Sequence, residues 1–292
     1  MSSQLPPTEA ANARSAGLDL LATLPLVELL VAEQRYAVEA VLAQAEPIAR
    51  AVDEIVARLS RGGALHYVGA GSSGRIATLD AAEMPPTFGT PPELVRAHVA
   101  GGAAALVRAI EGAEDDAAAG DAAVHAGADD AVVGISASGR AAFVIAAIER
   151  ARHSGAYTLA LTNVAGSRLA RAAANAVVLG TGPEPLAGST RLKAGTAQKI
   201  ALNAISTAVM VRLGKVYDNL MVDLVAGNAK LRERALRLVE NIAEVDEGRA
   251  RELLAGANGS VKVAIVMSRR DIGAGEAGAL LARHGGSLRR LL

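Results

Sequence analysis

Five short apolar runs alternate with helical segments through the middle of the chain, and this alternation limits the fold more than any other feature. The runs are Ala64–Val68, Val95–Val99, Ala131–Ile135, Ala156–Leu161 and Ala176–Leu179. Helical periodicity occupies the intervals Ser73–Ala82, Ala103–Ala109, Arg140–His153 and Ser167–Ala174, with a long helix at Ala194–Leu213. Apolar strands without polar alternation are typical of a parallel sheet that helices cover on both faces. The pattern therefore predicts a three-layer α/β domain.

Helical patterns also flank this central region. Apolar residues at helical spacing between about Asp19 and Arg61 predict two helices before the first strand. After residue 225 the strand signal fades, and amphipathic segments predict a small, mostly helical unit. We therefore expect three parts: an N-terminal helical segment (1–60), an α/β domain (61–224) and a C-terminal helical unit (225–292).

Composition excludes several classes of function. The chain of 292 residues has no cysteine, which excludes disulfides and thiolate metal sites and favours a reducing compartment. Its formal net charge is zero and its aromatic content is 2%, so a basic or stacking nucleic-acid surface is not expected. No apolar run is long enough to cross a membrane and no secretion signal is recognisable, so we expect a cytoplasmic protein. The five histidines show no ligand spacing, and we expect no metal.

Three loops rich in small and hydroxyl residues follow strands or precede helices. They are Gly71-Ser72-Ser73-Gly74-Arg75, Ser136-Ala137-Ser138-Gly139-Arg140 and Gly188-Ser189-Thr190-Arg191-Leu192-Lys193. Glycine lets the backbone approach a ligand, hydroxyls donate hydrogen bonds, and a helix N-terminus attracts anions. Each loop alone also fits an ordinary turn or helix cap. Together they predict an anion site, in which Arg191 and Lys193 either add charge or belong to a solvated loop.

The first loop is not a nucleotide fingerprint. Residues 69–74 match G-x-G-x-x-G literally, but no acidic residue follows at the end of the next strand, where a ribose would need one. The loop instead opens a helix that we expect to end at Glu83, with Pro85 and Pro86 stopping it. Ser73 and Glu83 lie ten residues apart, or about 15 Å along an unbroken helix. Glu83 is therefore expected to serve a different site from this loop, such as that of a second subunit.

Two carboxylates are candidates for acid–base chemistry. Small or apolar residues surround Glu83, and such surroundings would favour the protonated form that a general acid needs. Glu114 lies in an acidic stretch after the second strand–helix unit, and Glu111 is an equal candidate from the local sequence. For Asp115 and Asp116 a solvated helix face is the simpler interpretation.

Six segments together resemble a known family. They are YVGAGSSGR, LDAAEMPPTFG, AIEGAEDD, GISASGR, GSTRLKAGTAQK and LGKVYDNLMVDL, and weaker similarity covers almost the whole chain. In this order they resemble the N-acetylmuramic acid 6-phosphate etherases of the sugar isomerase (SIS) superfamily. The resemblance implies a three-layer, flavodoxin-like SIS domain with N-terminal helices and a small helical C-terminal unit. It also implies a homodimer.

The resemblance implies cleavage of the ether that joins D-lactate to C3 of the phosphorylated amino sugar, by elimination and then addition of water. Acid–base groups suffice for this route without a metal or redox cofactor. By match to the family motifs, Glu83 is the acid and Glu114 the base, with an exchange of the two roles left open. The residues expected to bind the substrate are Ser72, Ser73, Ser138, Arg140, Ser189, Thr190 and Lys193.

Departures from the family pattern are small. Ser72 replaces the usual threonine and keeps the hydroxyl, Met84 replaces a cysteine beside Glu83, and Ser136 replaces an alanine. Two alternatives share the fold: a non-catalytic sugar-phosphate sensor of the glucokinase regulatory type, and an aldose–ketose isomerase. A single domain that keeps both glutamates favours the etherase over the sensor, and the EMPPTFG and GSTRLKAGTAQK segments argue against the isomerase.

Overall fold

The computed structural model describes residues 5–224 and 229–292. The chain forms two compact units, one of Met1–Ala81 with Glu93–Ser206 and one of Ala82–Pro92 with Thr207–Leu292. The sequence boundary at residue 225 falls outside the described residues. The division into 1–60, 61–224 and 225–292 stays a prediction.

Strands and helices alternate as the sequence predicts. The strands are β1 Leu65–Gly69, β2 Val95–Val99, β3 Ala131–Ser136, β4 Tyr157–Thr162, β5 Asn175–Val178, β6 Val216–Tyr217 and β7 Leu220–Met221. The helices are α1 Thr23–Ala32, α2 Arg35–Leu42, α3 Ala45–Leu59, α4 Gly71–Ala82, α5 Met84–Phe88, α6 Ala104–Val107, α7 Ala117–Ala123, α8 Ala142–His153, α9 Arg168–Ala172, α10 Lys193–Arg212, α11 Ala229–Ala243, α12 Glu247–Gly256, α13 Val261–Arg270 and α14 Ala274–Arg283. The five predicted strands are confirmed to within one residue at each end.

The first unit is built on a parallel five-stranded sheet in the order β2-β1-β3-β4-β5. Every residue of the three central strands is buried, whereas the edge strands β2 and β5 are partly exposed. Helices must therefore cover both faces, and the predicted three-layer parallel-sheet α/β fold is confirmed. Because the strands are parallel, the loops that follow them lie at one edge of the sheet.

Successive residues of β1 face opposite layers. Val68 packs in an apolar cluster with residues of α8 and α9. On the other face, the Tyr67 hydroxyl donates to Asp80 Oδ2 of α4 at 2.9 Å. Asn203 and Ser206 of α10 donate to Asp80 Oδ1 at 2.6 and 3.0 Å. One buried carboxylate thus joins β1, α4 and α10, and it is fully hydrogen-bonded, as burial requires.

Close approach between β3 and α8 depends on a glycine. A Cβ atom on Gly134 would lie 2.6 Å from Cγ1 of Ile148 and 3.0 Å from Cγ1 of Val144. Since real Cβ contacts are longer than this, any larger residue would push α8 away from the sheet.

The N-terminal segment contains three helices where the periodicity predicts two, and this prediction was wrong. The backbone stays close to helical geometry at the first break, Glu33–Gln34, and leaves it at Gln44 (φ −107°, ψ 17°) in the second. At the first break, shorter i→i+3 hydrogen bonds replace the α-helical ones. Glu33 is buried at this first break, where it accepts hydrogen bonds from Asn12, Arg14 and Lys193. Periodicity cannot reveal such a break, because both sides keep helical spacing.

The prolines after Glu83 start a helix instead of ending one. Helix α4 ends at Ala82, and Pro85 and Pro86 lie in the first turn of the short helix α5. Proline is tolerated there because the first amides of a helix have no intrahelical acceptor. Gly89, at φ +60°, ends α5 in the left-handed conformation.

Four helices, α11 to α14, and the β6–β7 hairpin account for most of the second unit. They share an apolar core that includes Val239, Ala264 and Ile265. Lys262 of α13 is buried. Its ammonium donates to Asp223 and to the carbonyls of Gly214 and Gly286 at 2.7–2.8 Å. The helical C-terminal character is confirmed. None of the described helices is long and apolar enough to cross a membrane.

Candidate active site

The first two hydroxyl loops lie side by side at the carboxyl edge of the sheet. They follow β1 and β3, which are neighbouring strands, and Gly69 at the end of β1 pairs in register with Ile135. This edge is where open α/β sheets bind ligands.

Glycines shape the first loop. A Cβ atom on Gly69 would lie 2.7 Å from the Gly74 amide nitrogen, and one on Gly74 would lie 2.7 Å from Val99 Cγ1. Gly71 has φ +54°, a conformation that favours glycine. These three positions therefore allow α4 to begin directly against the end of β1.

The start of α4 offers free amides. The Gly74 amide donates to the Ala70 carbonyl at 3.3 Å. The amides of Gly71, Ser72 and Ser73 have no acceptor in the described part of the chain. Free amides at a helix N-terminus, together with the helix dipole, form a site suited to phosphate.

A buried hydrogen-bond network fixes Ser73. Its hydroxyl donates to Gln198 Oε1 of α10 at 2.8 Å. Gln198 donates to Asn163 Oδ1 at 3.2 Å, and Asn163 donates to the Leu179 carbonyl at 2.9 Å. The network thus ties the first loop to the residues that follow β4 and β5. Ser72 is half-buried, and its hydroxyl has no partner among the described residues.

The second loop is a tight turn around Gly139. The Ser136 hydroxyl accepts the Gly139 amide at 3.1 Å, and the Ser138 hydroxyl accepts the Arg140 amide at 3.3 Å. Gly139 has φ +64°, and a Cβ atom there would lie 2.3 Å from Ser167 Oγ. Ser138 is half-buried and Arg140 is exposed. Both residues lie in the turn that follows β3, at the carboxyl edge of the sheet.

The third loop divides into exposed and buried parts. Ser189 and Thr190 are half-buried, and their hydroxyls make no hydrogen bond within the described residues. Lys193, by contrast, is fully buried, and its ammonium lies 2.7 Å from Glu33 Oε2. The charge of Lys193 is therefore paired within the fold, and its contact with the substrate stays a prediction. Arg191 is exposed, as a solvated loop residue would be.

Glu83 and Glu114 are both exposed and lie in different units. Glu83 caps helix α5 in the second unit, so the expected apolar enclosure of its carboxylate is absent from this chain. Glu114 lies in a short 3₁₀ helix, Ala113–Asp115, which follows Gly112 at φ +75°. Glu111 is exposed as well, so burial does not separate it from Glu114.

Arg75 anchors the segment that leads to Glu114. Its guanidinium donates to the Leu106 carbonyl at 3.2 Å and to the Arg108 carbonyl at 3.0 Å. The sequence assigns this arginine to the first anion loop. In the structure it binds the backbone of residues 106–108 instead.

Curated relatives match nearly the whole chain. A protein from Deinococcus radiodurans is 48% identical over 98% of this chain and 94% of its own length. A protein from Trichormus variabilis is 49% identical over 97% of this chain and 93% of its own length. One from Symbiobacterium thermophilum is 50% identical over 89% of this chain and 87% of its own length. All three are named N-acetylmuramic acid 6-phosphate etherase. The chain belongs to this etherase family.

Domain families and a solved structure agree with the etherase fold. Residues 47–152 match the N-terminal SIS domain of glucokinase regulatory protein, and residues 107–208 match the SIS domain. A phosphoheptose isomerase from Francisella tularensis is 18% identical, with a TM-score of 0.51 over 65% of this chain and all of that one. The predicted SIS-type fold is confirmed.

Sequence reasoning missed three buried polar residues that contact the hydroxyl loops. Gln198 and Asn163 carry the network beneath Ser73, and Glu184 is a buried carboxylate beside the third loop. Glu184 lies between two prolines, a signal similar to the one that singled out Glu83. Gln198 lies inside a helix and carries no such signal.

No group of three or more side chains suited to hold a metal occurs in residues 5–224 and 229–292. His66 and His98 are in contact, with Nδ1 and Nε2 3.0 Å apart. Burial, and then the neighbouring His98, lower the pKa of His66 to about 4. The pair joins β1 to β2, with His66 buried and His98 half-buried.

The pKa of Glu33 falls to about 2 because of its partners. The hydrogen bond from Arg14 is the largest cause, burial opposes it, and Lys193 and Asn12 lower the pKa further. Arg14 Nε lies 2.6 Å from Glu33 Oε1, and Asn12 Nδ2 lies 2.8 Å from Oε2. This cluster joins the N-terminal segment to the start of α10.

Replacing Glu33 with glutamine should remove part of the acid sensitivity of folding. Because the folded-state pKa is depressed, the stabilisation is complete above the unfolded pKa and is lost as the pH falls toward about 2. In urea unfolding at neutral pH, Glu33→Gln should therefore have a free energy of unfolding about 3–5 kcal/mol below that of the wild type. That deficit should shrink in acid.

The exposed Glu54, which pairs with Arg58, supplies a matched control. Glu54→Gln should change the free energy of unfolding by no more than about 1 kcal/mol. A Glu33→Gln deficit that stays constant from neutral pH to about pH 2 would contradict the assignment.

Proposed function

We propose that this protein cleaves the D-lactyl ether of N-acetylmuramic acid 6-phosphate to give N-acetylglucosamine 6-phosphate and D-lactate, a step in peptidoglycan recycling. The observation that carries the proposal is the identity of 48–50% to relatives of that name over 89–98% of the chain. The absence of cysteine supports a cytoplasmic location.

The chemistry needs two acid–base groups. In the open-chain sugar, the C1 aldehyde acidifies the C2 proton, which a carboxylate removes. The C3–O bond then breaks, and lactate leaves as its ether oxygen gains a proton. Water adds across the resulting C2–C3 double bond, with hydroxide at C3 and a proton at C2. No electron is gained or lost overall, so acid–base groups and a phosphate anchor suffice.

We assign Glu114 to proton removal at C2 and Glu83 to protonation of the leaving lactate. Their exposure supports the assignment, since both carboxylates are open to a ligand and neither forms an ion pair with residues 5–224 or 229–292.

The phosphate anchor is assigned to the first two loops. The free amides of Gly71, Ser72 and Ser73 support phosphate binding at the start of α4. Ser138 and Arg140 at the neighbouring strand end add a hydroxyl and a positive charge. Ser189 and Thr190 of the third loop supply further hydroxyls to the phosphate or the sugar.

A homodimer completes the proposal. Helix α1 is largely apolar and yet has no buried residue. Its side chains Leu24, Val27 and Val31 are 50–68% exposed. An apolar surface of this kind supports burial against a second copy. Within such a dimer, Glu83 is proposed to serve the partner's site.

Glutamine substitutions test the two carboxylates. Glu83→Gln and Glu114→Gln should each lower D-lactate release by about 10²–10⁴-fold, the usual contribution of a general acid or base. In D₂O, Glu114→Gln should also abolish exchange of the C2 proton, whereas Glu83→Gln should preserve it. Glu111→Gln is the matched control, and activity lost there but kept in Glu114→Gln would refute the assignment.

The same two variants test sharing between subunits. In mixed dimers of Glu83→Gln and Glu114→Gln chains, a shared arrangement restores one intact site, so part of the activity should return. No recovery would count against sharing. Wild-type protein that binds the phosphosugar without releasing D-lactate would instead indicate a sensor.

Alanine substitutions test the hydroxyl loops. Ser138→Ala and Ser189→Ala should each raise KM roughly three- to tenfold, as expected for the loss of about one hydrogen bond. Ser154→Ala is the control, because Ser154 caps the opposite end of α8 and its hydroxyl donates to the Arg150 carbonyl. Unchanged KM in both loop variants would exclude these serines from the site.

A further inference from the structure

Glu184 is a buried carboxylate for which the proposed mechanism has no use. Only 1% of its surface is exposed. Its Oε2 accepts the Lys193 amide and its Oε1 accepts the Ala194 amide, each at 2.9 Å. These are the first two residues of α10, so the carboxylate caps that helix and interacts favourably with its dipole.

The rest of the α10 N-terminus is also satisfied from within the chain. The Gly195 amide donates to the Thr190 carbonyl, and the Thr196 amide donates to the Leu192 carbonyl, both at 2.9 Å. All four first amides of α10 therefore have acceptors. The start of α10 is closed to an external anion, in contrast to the start of α4.

The same hydrogen bonds from the α10 amides to Glu184 also join the two ends of the third loop. The chain leaves Glu184, passes through Ser189 and Thr190, and returns at Lys193 to the Glu184 carboxylate. Inside this segment the Ser189 amide donates to the Leu186 carbonyl, and the Leu192 amide donates to the Ser189 carbonyl. The loop is therefore closed at its base while its two free hydroxyls lie near its middle.

Lys193 is held from two sides. Glu184 accepts its backbone amide, and Glu33 accepts its ammonium at 2.7 Å. Burial raises the pKa of Glu184, and the two amide donors oppose that rise. The loop thus ends at Lys193, whose backbone and side chain are both held by buried carboxylates.

We propose that Glu184 is a positioning residue, whose carboxylate holds the base of the 184–193 loop closed and so places the Ser189 and Thr190 hydroxyls against the sugar phosphate. This role rests on the proposed function of the site. A carboxylate is required because both oxygens must accept an amide. Glutamine would direct an NH₂ group at one of the two amides, and aspartate is too short to reach both.

Glu184→Gln is the main test, and Asp130→Asn is its matched control. Asp130 likewise accepts two backbone amides, those of Ala64 and Gly127, each at 2.7 Å. It lies just before β3, at the amino edge of the sheet. Each variant loses one acceptor of a backbone amide, and since Glu184 is buried and Asp130 half-buried, Glu184→Gln should show the larger loss of Tm.

The two variants should differ in substrate affinity. Glu184→Gln should raise KM for N-acetylmuramic acid 6-phosphate, and Kd for N-acetylglucosamine 6-phosphate, by roughly tenfold. Asp130→Asn should leave both within about twofold. In a Ser189→Ala/Thr190→Ala background, Glu184→Gln should add little, because it acts through the residues already removed.

Wild-type KM and Kd in Glu184→Gln, or effects that multiply with those of Ser189→Ala/Thr190→Ala, would overturn the proposal. If Glu184→Gln does not fold, Glu184→Asp gives the same comparison: raised KM supports the role and wild-type KM refutes it. Wild-type protein that releases no D-lactate would refute the proposed function, while the Kd measurement would still decide the role of Glu184.

Discussion

The close contact between the end of β1 and the start of α4 is the constraint on which the site depends. Gly69 and Gly74 have no room for a Cβ atom, so only glycine lets the helix begin directly against the strand. This geometry leaves the amides of Gly71, Ser72 and Ser73 without internal acceptors. Since β3 lies beside β1, the Ser138 turn joins the same edge. Backbone packing alone thus leaves amide donors at this edge, which is where we propose that the phosphate binds.

Helices α4 and α10 show two uses of a helix N-terminus. The first amides of α4 are free, whereas those of α10 are satisfied by Glu184 and by carbonyls of the preceding loop. Of these two helices, only α4 has free amides for a phosphate. Helix α10 instead holds the base of the loop that carries Ser189. The buried Glu33–Lys193 pair secures that second helix to the N-terminal segment. The positive charge that the sequence offers at Lys193 is used for the fold.

Sequence patterns predict the sheet well, whereas the site residues they single out stay predictions. Uninterrupted apolar runs reveal the strands because burial on both faces removes polar residues from them. The hydroxyl loops are visible because glycine and serine cluster there. The burial of Lys193 was not predicted, because a spacing pattern cannot show that Glu33, 160 residues away, pairs with it. Glu184 and Gln198 were missed because their partners are backbone amides and distant side chains, which only the folded chain brings together.

A crystal structure with N-acetylglucosamine 6-phosphate tests the central claim most directly. The account predicts phosphate oxygens within hydrogen-bonding distance of the Gly71, Ser72 and Ser73 amides. It also predicts that the Lys193 and Ala194 amides remain bound to Glu184. A phosphate seated on the amides of α10, with the Glu184 carboxylate displaced, would contradict it.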